Sequence, residues 1–214
     1  MRTVWTWLEA LPATVRWSLV AVGALLAALL AGTGVWAILE QREASARQAL
    51  AGASVPYRQA MASRQETELK AAADSLNQLL KDSPRSGVAT QAWYLLGNVE
   101  YQRRNVDAAL KAYEKAVQRD GSTIAALSRL GMAYAWEAKG DAAQTLAAYT
   151  RALEGRGPAD FLYAELLLGK ARAHERLAQQ AQAIEAYRKL LSDVPDFARA
   201  EEVRMRLALL ASGA

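Results

Sequence analysis

The pairs Leu96-Gly97 and Leu130-Gly131 stand 34 residues apart, and Leu168-Gly169 follows after a further 38. A self-similar period of this length constrains the fold more than any other feature. Each unit must be a supersecondary element that cannot bury its apolar faces alone and has to stack on its neighbours. Behind each pair comes an aromatic residue and then a small or aliphatic doublet: Tyr113 before Ala116-Val117, Tyr149 before Ala152-Leu153, and Tyr187 before Leu190-Leu191. The drift in spacing falls in turns near Lys139-Gly140, between Glu154 and Pro158, and near Gln179-Gln180. Ala supplies about a fifth of the chain while Phe, Ile and Pro are scarce, which favours helix over sheet. The prediction is an all-α solenoid of three to four stacked helical hairpins.

The run Trp93-Tyr-Leu-Leu96-Gly97-Asn-Val-Glu-Tyr101, followed by Ala109, Tyr113 and Ala116, resembles a tetratricopeptide repeat. Asp120-Gly121 stands where that family has Asp-Pro. The second copy keeps Leu127, Leu130-Gly131, Tyr134, Tyr149 and Ala152 but has Thr145 in place of a small Ala. The third keeps Leu168-Gly169, Ala183-Ile184, Tyr187 and Pro195, with Arg172 in place of an aromatic. Ala60, Ala72, Leu76, Leu79-Leu80 and Pro84 fall at the spacing of a degenerate earlier copy. The resemblance covers about 55 to 195 and speaks to fold, not function. On this reading Gly97, Gly131 and Gly169 remove side chains where the two helices of a hairpin cross. Phe197 to Leu210 is a capping helix with Val203, Leu207 and Leu210 inward and Arg199, Glu201, Glu202, Arg204 and Arg206 outward.

Between Arg16 and Glu40 lie 23 residues without a charge, from Trp17 to Leu39. As a helix they extend about 34 Å, enough for a hydrocarbon core of about 30 Å. Trp17 and Trp36 sit near the two ends and Trp5 and Trp7 just before, where interfacial belts lie. Val4, Trp5, Leu8 and Leu11 suit a short amphipathic turn in the interface. A cleaved signal peptide would need a small-residue site such as Ala44-Ser-Ala46 or Ala49-Leu-Ala51, but its apolar core runs only about 7–15 residues. An uncleaved single-pass anchor is therefore expected. Ala24, Ala28 and Gly32 form a small-residue stripe that admits a second helix. Composition in so alanine-rich a chain accounts for the stripe equally well. Lys and Arg favour neither side of the span, so charge leaves the orientation open. In a bacterial inner membrane the short N-terminus would stay cytoplasmic and the domain would face the periplasm.

Five segments follow: 1-16, cytoplasmic or interfacial; 17-39, the span; 40-56, a helical stalk and linker; 57-196, the repeats; 197-214, the cap and tail. Gly52-Ala-Ser54-Val-Pro56 is expected to break the stalk helix, with Ser54 and Pro56 opening a new one.

The absence of Cys excludes disulfides, thiolate metal sites and Cys nucleophiles, and the single His excludes a two-His metal site. No phosphate loop, nucleophile elbow or metal signature occurs. Glu165 with Lys170, or Asp160 near Arg156, has the spacing of pairs that decorate solvated helix faces. No catalytic residue, metal or cofactor is expected. The net charge of +4 comes from interspersed signs, with Arg103-Arg104 the longest basic pair, so no nucleic-acid partner is expected.

The tetratricopeptide resemblance implies a concave groove built by the first helix of each hairpin. Its positions carry over to Gln91, Tyr94, Asn98, Tyr101 and Gln102, then Ser128, Met132 and Trp136, then Tyr163, Leu166, Lys170 and His174. The ligand implied is a protein or extended polypeptide. A C-terminal carboxylate clamp, with Lys or Arg in several repeats, is not expected. His174, alone, reads as a hydrogen-bonded groove residue rather than a catalyst. An N-terminal span followed directly by such repeats resembles the YfgM-like ancillary subunits of the SecYEG translocon. That resemblance implies a non-enzymatic scaffold with translocon or membrane-chaperone partners. Two alternatives stay open: an assembly factor holding apocytochrome c tails, and a fixed structural subunit of a membrane complex.

Overall fold

A computed structural model describes residues 12–118 and 123–212, so the segment around Trp5, expected at the interface, and the Asp120-Gly121 pair lie outside the described residues. Among the described residues there are nine helices and no strand. They are α1 (Ala13–Ser63), α2 (Glu66–Asp82), α3 (Ala89–Gln102), α4 (Val106–Val117), α5 (Thr123–Lys139), α6 (Ala142–Leu153), α7 (Tyr163–Arg176), α8 (Gln180–Asp193) and α9 (Ala200–Ala211). The chain divides into two units, 1–47 and 48–214, with the division inside α1.

In the first unit the apolar residues of α1 from 17 to 39 are exposed. Trp17, Leu30 and Trp36 are 73%, 74% and 67% exposed, and the helix is long and apolar enough to cross a membrane. The expected break at residues 52–56 does not occur, because α1 continues through Pro56 to Ser63. Proline removes one backbone hydrogen bond and crowds the carbonyl four residues back, costing about 3 kcal/mol in a helix interior. That loss is offset by packing on both sides of Pro56. Leu50, Ala53 and Ala60 are buried with Leu69, Ala72, Leu76 and Leu80 of α2 and with Ala92, Leu96 and Val99 of α3 in one apolar cluster.

The hairpins of the second unit are α1/α2, α3/α4, α5/α6 and α7/α8, and α9 closes the stack against α8. Each turn has one residue in the left-handed region: Arg64 (φ 56°), Arg104 (φ 62°), Gly140 (φ 77°) and Ala178 (φ 56°). The turn between α1 and α2 shares this left-handed residue, and the two helices are buried in one apolar cluster with α3. The turns at Gly140 and Ala178 fall where the drift in repeat spacing placed them.

Gly97 acts as expected, whereas Gly131 and Gly169 do not. A Cβ at Gly97 would lie 2.5 Å from the ring of Tyr113, in the same hairpin. At Gly131 it would lie 2.6 Å from that same ring, and at Gly169 2.2 Å from the ring of Tyr149. Gly131 and Gly169 therefore receive a ring from the preceding hairpin, not from their own second helix. In the cap, Val203 is buried and Leu207 and Leu210 are half-buried on the cluster of Leu168, Tyr187 and Leu190, as the periodicity predicted.

Candidate functional site

The tyrosines that fill the glycine slots carry hydroxyls into a mostly apolar interior, where a buried donor needs a partner. Tyr149 donates to Glu137 (3.2 Å) and Tyr187 to Glu175. Each of these carboxylates also pairs with an Arg of the next first helix or the cap, Glu137 with Arg176 (2.7 Å) and Glu175 with Arg206. Burial, then the adjacent carboxylate, holds both phenols well above the ordinary tyrosine range. Burial pushes the Glu175 carboxyl up, but the bonds from Arg206 and Tyr187 together outweigh it and bring it below its usual value. A further bridge runs from Tyr134 through Glu165 (3.1 Å) to Arg199 and on to Glu202 and Arg172.

The first full hairpin has no such carboxylate. Tyr113 donates to Asn98 Oδ1 (2.8 Å), and Asn98 Nδ2 donates to the Tyr57 hydroxyl (3.1 Å) from α1. Burial raises the Tyr57 and Tyr113 phenols, so both remain neutral at any physiological pH. Around this amide α1, α3 and α5 form an open channel of about 220 Å³. Its walls include Met61, Tyr94, Asn98, Tyr101, Gln102, Leu127 and Tyr134, none of them charged. The Tyr94 and Tyr113 rings lie 6.3 Å apart, tilted by 44°.

The expected groove residues thus separate. Tyr94, Asn98, Tyr101 and Gln102 come together in the channel, while Gln91 is exposed and does not line it. Met132 and Trp136 line a different notch, between α5 and α6, with Arg129, Gln144, Ala147, Ala148 and Arg151. Ser128 is fully buried and returns its hydroxyl to the Ile124 carbonyl (2.8 Å), so it faces no ligand. Leu166 is likewise fully buried, and Tyr163 (4% exposed) donates to Asp193 (2.6 Å) in its own hairpin. Both belong to the core: Tyr163 packs with Leu190 of α8 and Val203 of α9, and Leu166 with Ala126 and Leu130 of α5 and Tyr149 of α6. His174 is buried with Nδ1 2.7 Å from Gln179 Oε1, a structural hydrogen bond beside the turn. Lys170 is half-buried and lines neither cavity.

Tyr57, Met61 and Tyr134 were missing from the groove expectation. Tyr134 was assigned to the repeat pattern, and Tyr57 and Met61 became visible only once α1 proved to be the first helix of a hairpin. Arg156 and Asp160, expected to decorate a solvated helix face, form a half-buried ion pair between α6 and α7, where Asp160 also accepts from Leu162 N (2.9 Å). In the apolar unit Ala24, Ala28 and Gly32 are exposed, and a Cβ at Gly32 would meet nothing within 4 Å.

Comparison with known proteins agrees with this architecture. Residues 90–122 and 165–196 each match the tetratricopeptide repeat family. The fold is similar to that of MamA, with a TM-score of 0.56 at 21% identity over 70% of this chain and 81% of that one. It is also similar to a putative kinesin light chain with nearly identical TPR-like repeats from Podosopora anserina, with a TM-score of 0.60 at 13% identity over 74% and 85%. No curated protein matches the sequence. The chain carries tetratricopeptide repeats on an all-helical solenoid, a class of domain that binds protein or peptide partners and is generally non-enzymatic.

Proposed function

We propose that this protein is a membrane-anchored, non-enzymatic scaffold that holds an extended polypeptide in the channel between α1, α3 and α5. The observation that carries this reading is the uncharged aromatic channel centred on Asn98, with Tyr94 and Tyr101 at the contact surface. Tyrosines supply large contact area at small entropic loss, and an amide offers a donor and an acceptor to a passing main chain. The stretch 17–39, apolar and exposed among the described residues, supports the anchor. The order of parts, a span and then repeats, supports the finer reading. On that reading the protein is an ancillary subunit of the bacterial inner-membrane translocon, with its repeat domain on the periplasmic side and a chaperone among its partners.

The test is photo-crosslinking from a probe at Tyr101 in intact membranes, with a probe at the exposed Gln91 as the control. Adducts from Tyr101 to secreted chains, translocon or chaperone subunits are expected. Equal adducts from both positions, or none from Tyr101, would refute the channel as the binding surface.

A further inference from the structure

The notch between α5 and α6 stands apart from the channel and has a different chemistry. It encloses about 80 Å³, with Met132 and Trp136 on one wall and Ala147 and Ala148 on the other. Arg129 and Arg151 also line it, and no carboxylate does. Neither guanidinium is engaged in an ion pair or hydrogen bond among the described residues, although most of the other arginines in the repeats are. A third cation, Lys139, has its Nζ 5.1 Å from the centre of the Trp136 ring and is held by Asp107 (2.7 Å).

Topology sorts these groups into two ends. The short turn at Gly140 makes α5 and α6 antiparallel, so Arg129 comes level with Arg151 and Trp136 level with Gln144. Seven residues of helix separate the levels, about 10 Å. Three residues of extended chain cover the same distance. The site therefore has a doubly cationic end and an apolar end, one short peptide apart. Two unpaired guanidiniums side by side repel each other, and a carboxylate between them relieves that repulsion while forming charge-assisted hydrogen bonds.

We propose that this notch is a second docking site, for an acidic segment of a partner protein. An Asp or Glu side chain sits between Arg129 and Arg151, and a large apolar side chain two or three residues away rests on Met132 and Trp136. The site takes a charged ligand where the channel takes a neutral one, so the two can be occupied together.

The test uses the full chain in mild detergent and follows the tryptophan indole signals by NMR, with Trp136 identified by its loss in Trp136→Phe. The probe is the acetylated and amidated peptide Glu-Asp-Leu-Phe-Asp-Glu. It is expected to move the Trp136 signal and leave that of Trp93 unchanged. Binding should weaken at least tenfold for the analogue with Gln and Asn in place of the acids, and for the analogue with Ala in place of Leu and Phe. The variant Arg129→Gln/Arg151→Gln should weaken it at least tenfold at an unaltered melting temperature. The single Arg151→Gln change, at an exposed position, should give part of that loss. No movement of Trp136, or equal binding of either analogue or of the double variant, would overturn the proposal. So would displacement by phosphatidylglycerol vesicles or by a second copy of the chain, each of which would name another occupant.

Discussion

Replacing Gly169 by Ala tests the packing rule of the whole stack. The added methyl would lie 2.2 Å from both Cε1 and Cζ of Tyr149, whereas carbon atoms pack at about 3.5–4.0 Å. The ring must therefore retreat by more than 1 Å. It has little room to do so, being 2% exposed, edge-on to Tyr134 at 6.3 Å and bonded to Glu137. Overpacking of this kind costs about 1–3 kcal/mol, and loosening a buried hydroxyl's hydrogen bond adds about 1 kcal/mol. Against this, Ala is favoured over Gly inside a helix by about 1 kcal/mol. The expected net loss is about 1–3 kcal/mol. Urea unfolding of the full chain in mild detergent, followed by circular dichroism at 222 nm, measures it. Gly52→Ala is the control of opposite sign, since its Cβ meets nothing within 4 Å. Combining Gly169→Ala with Tyr149→Leu should cost clearly less than the sum of the two changes, because the obstacle is then gone. A Gly169→Ala protein as stable as the parent, or strict additivity in the pair, would refute the account.

Ala178→Gly should raise stability by about 0.5–1 kcal/mol in the same urea assay, because a left-handed φ is strained for Ala and free for Gly. Asp141→Ala should lower it by about 1 kcal/mol, since the Asp141 carboxylate caps α6 through Gln144 N at 2.9 Å. Bonds from Arg199 and then Arg172 lower the Glu202 carboxyl from its ordinary 4.5 to about 2. A depressed carboxylate stabilises above its unfolded value and loses that contribution as pH falls through the folded one. The stability gap between the parent and Glu202→Gln should therefore be full at pH 6 and close between about 4.5 and 2. A gap independent of pH across that window would remove Glu202 from the docking of α9.

Much of the architecture was legible because it rests on periodic residues. The Leu-Gly pairs, the aromatic residues with their small or aliphatic doublets, and Val203 with Leu207 and Leu210 mark the second-unit helices α3 to α9 in the sequence. The continuation of α1 was not legible. Pro56 is a local signal, whereas the packing that overrides it comes from α2 and α3, distant in sequence. The contacts of Gly131 and Gly169 were misassigned for a similar reason, since spacing alone does not say which hairpin supplies the ring. At the site, the carried-over positions Tyr94, Asn98, Tyr101 and Gln102 meet in the channel and the rest are scattered. Helix-face arithmetic assumes each hairpin presents the same face, but Tyr163 and Leu166 are turned into the core and Met132 and Trp136 into a separate notch.

The ring of Tyr113 lies against Gly97 in its own hairpin and Gly131 in the next, and Tyr149 serves Gly169 in the same forward sense. Dependence in this solenoid therefore runs in one direction: a later hairpin has a hole that only an earlier one fills. Synthesis also runs from the N-terminus, and domains form as they emerge. Each hairpin leaving the ribosome thus meets a neighbour that already presents the missing ring. A circularly permuted chain that makes α5 to α9 first would bring those helices out with the Gly131 slot empty, so the order of translation is itself part of how this stack assembles.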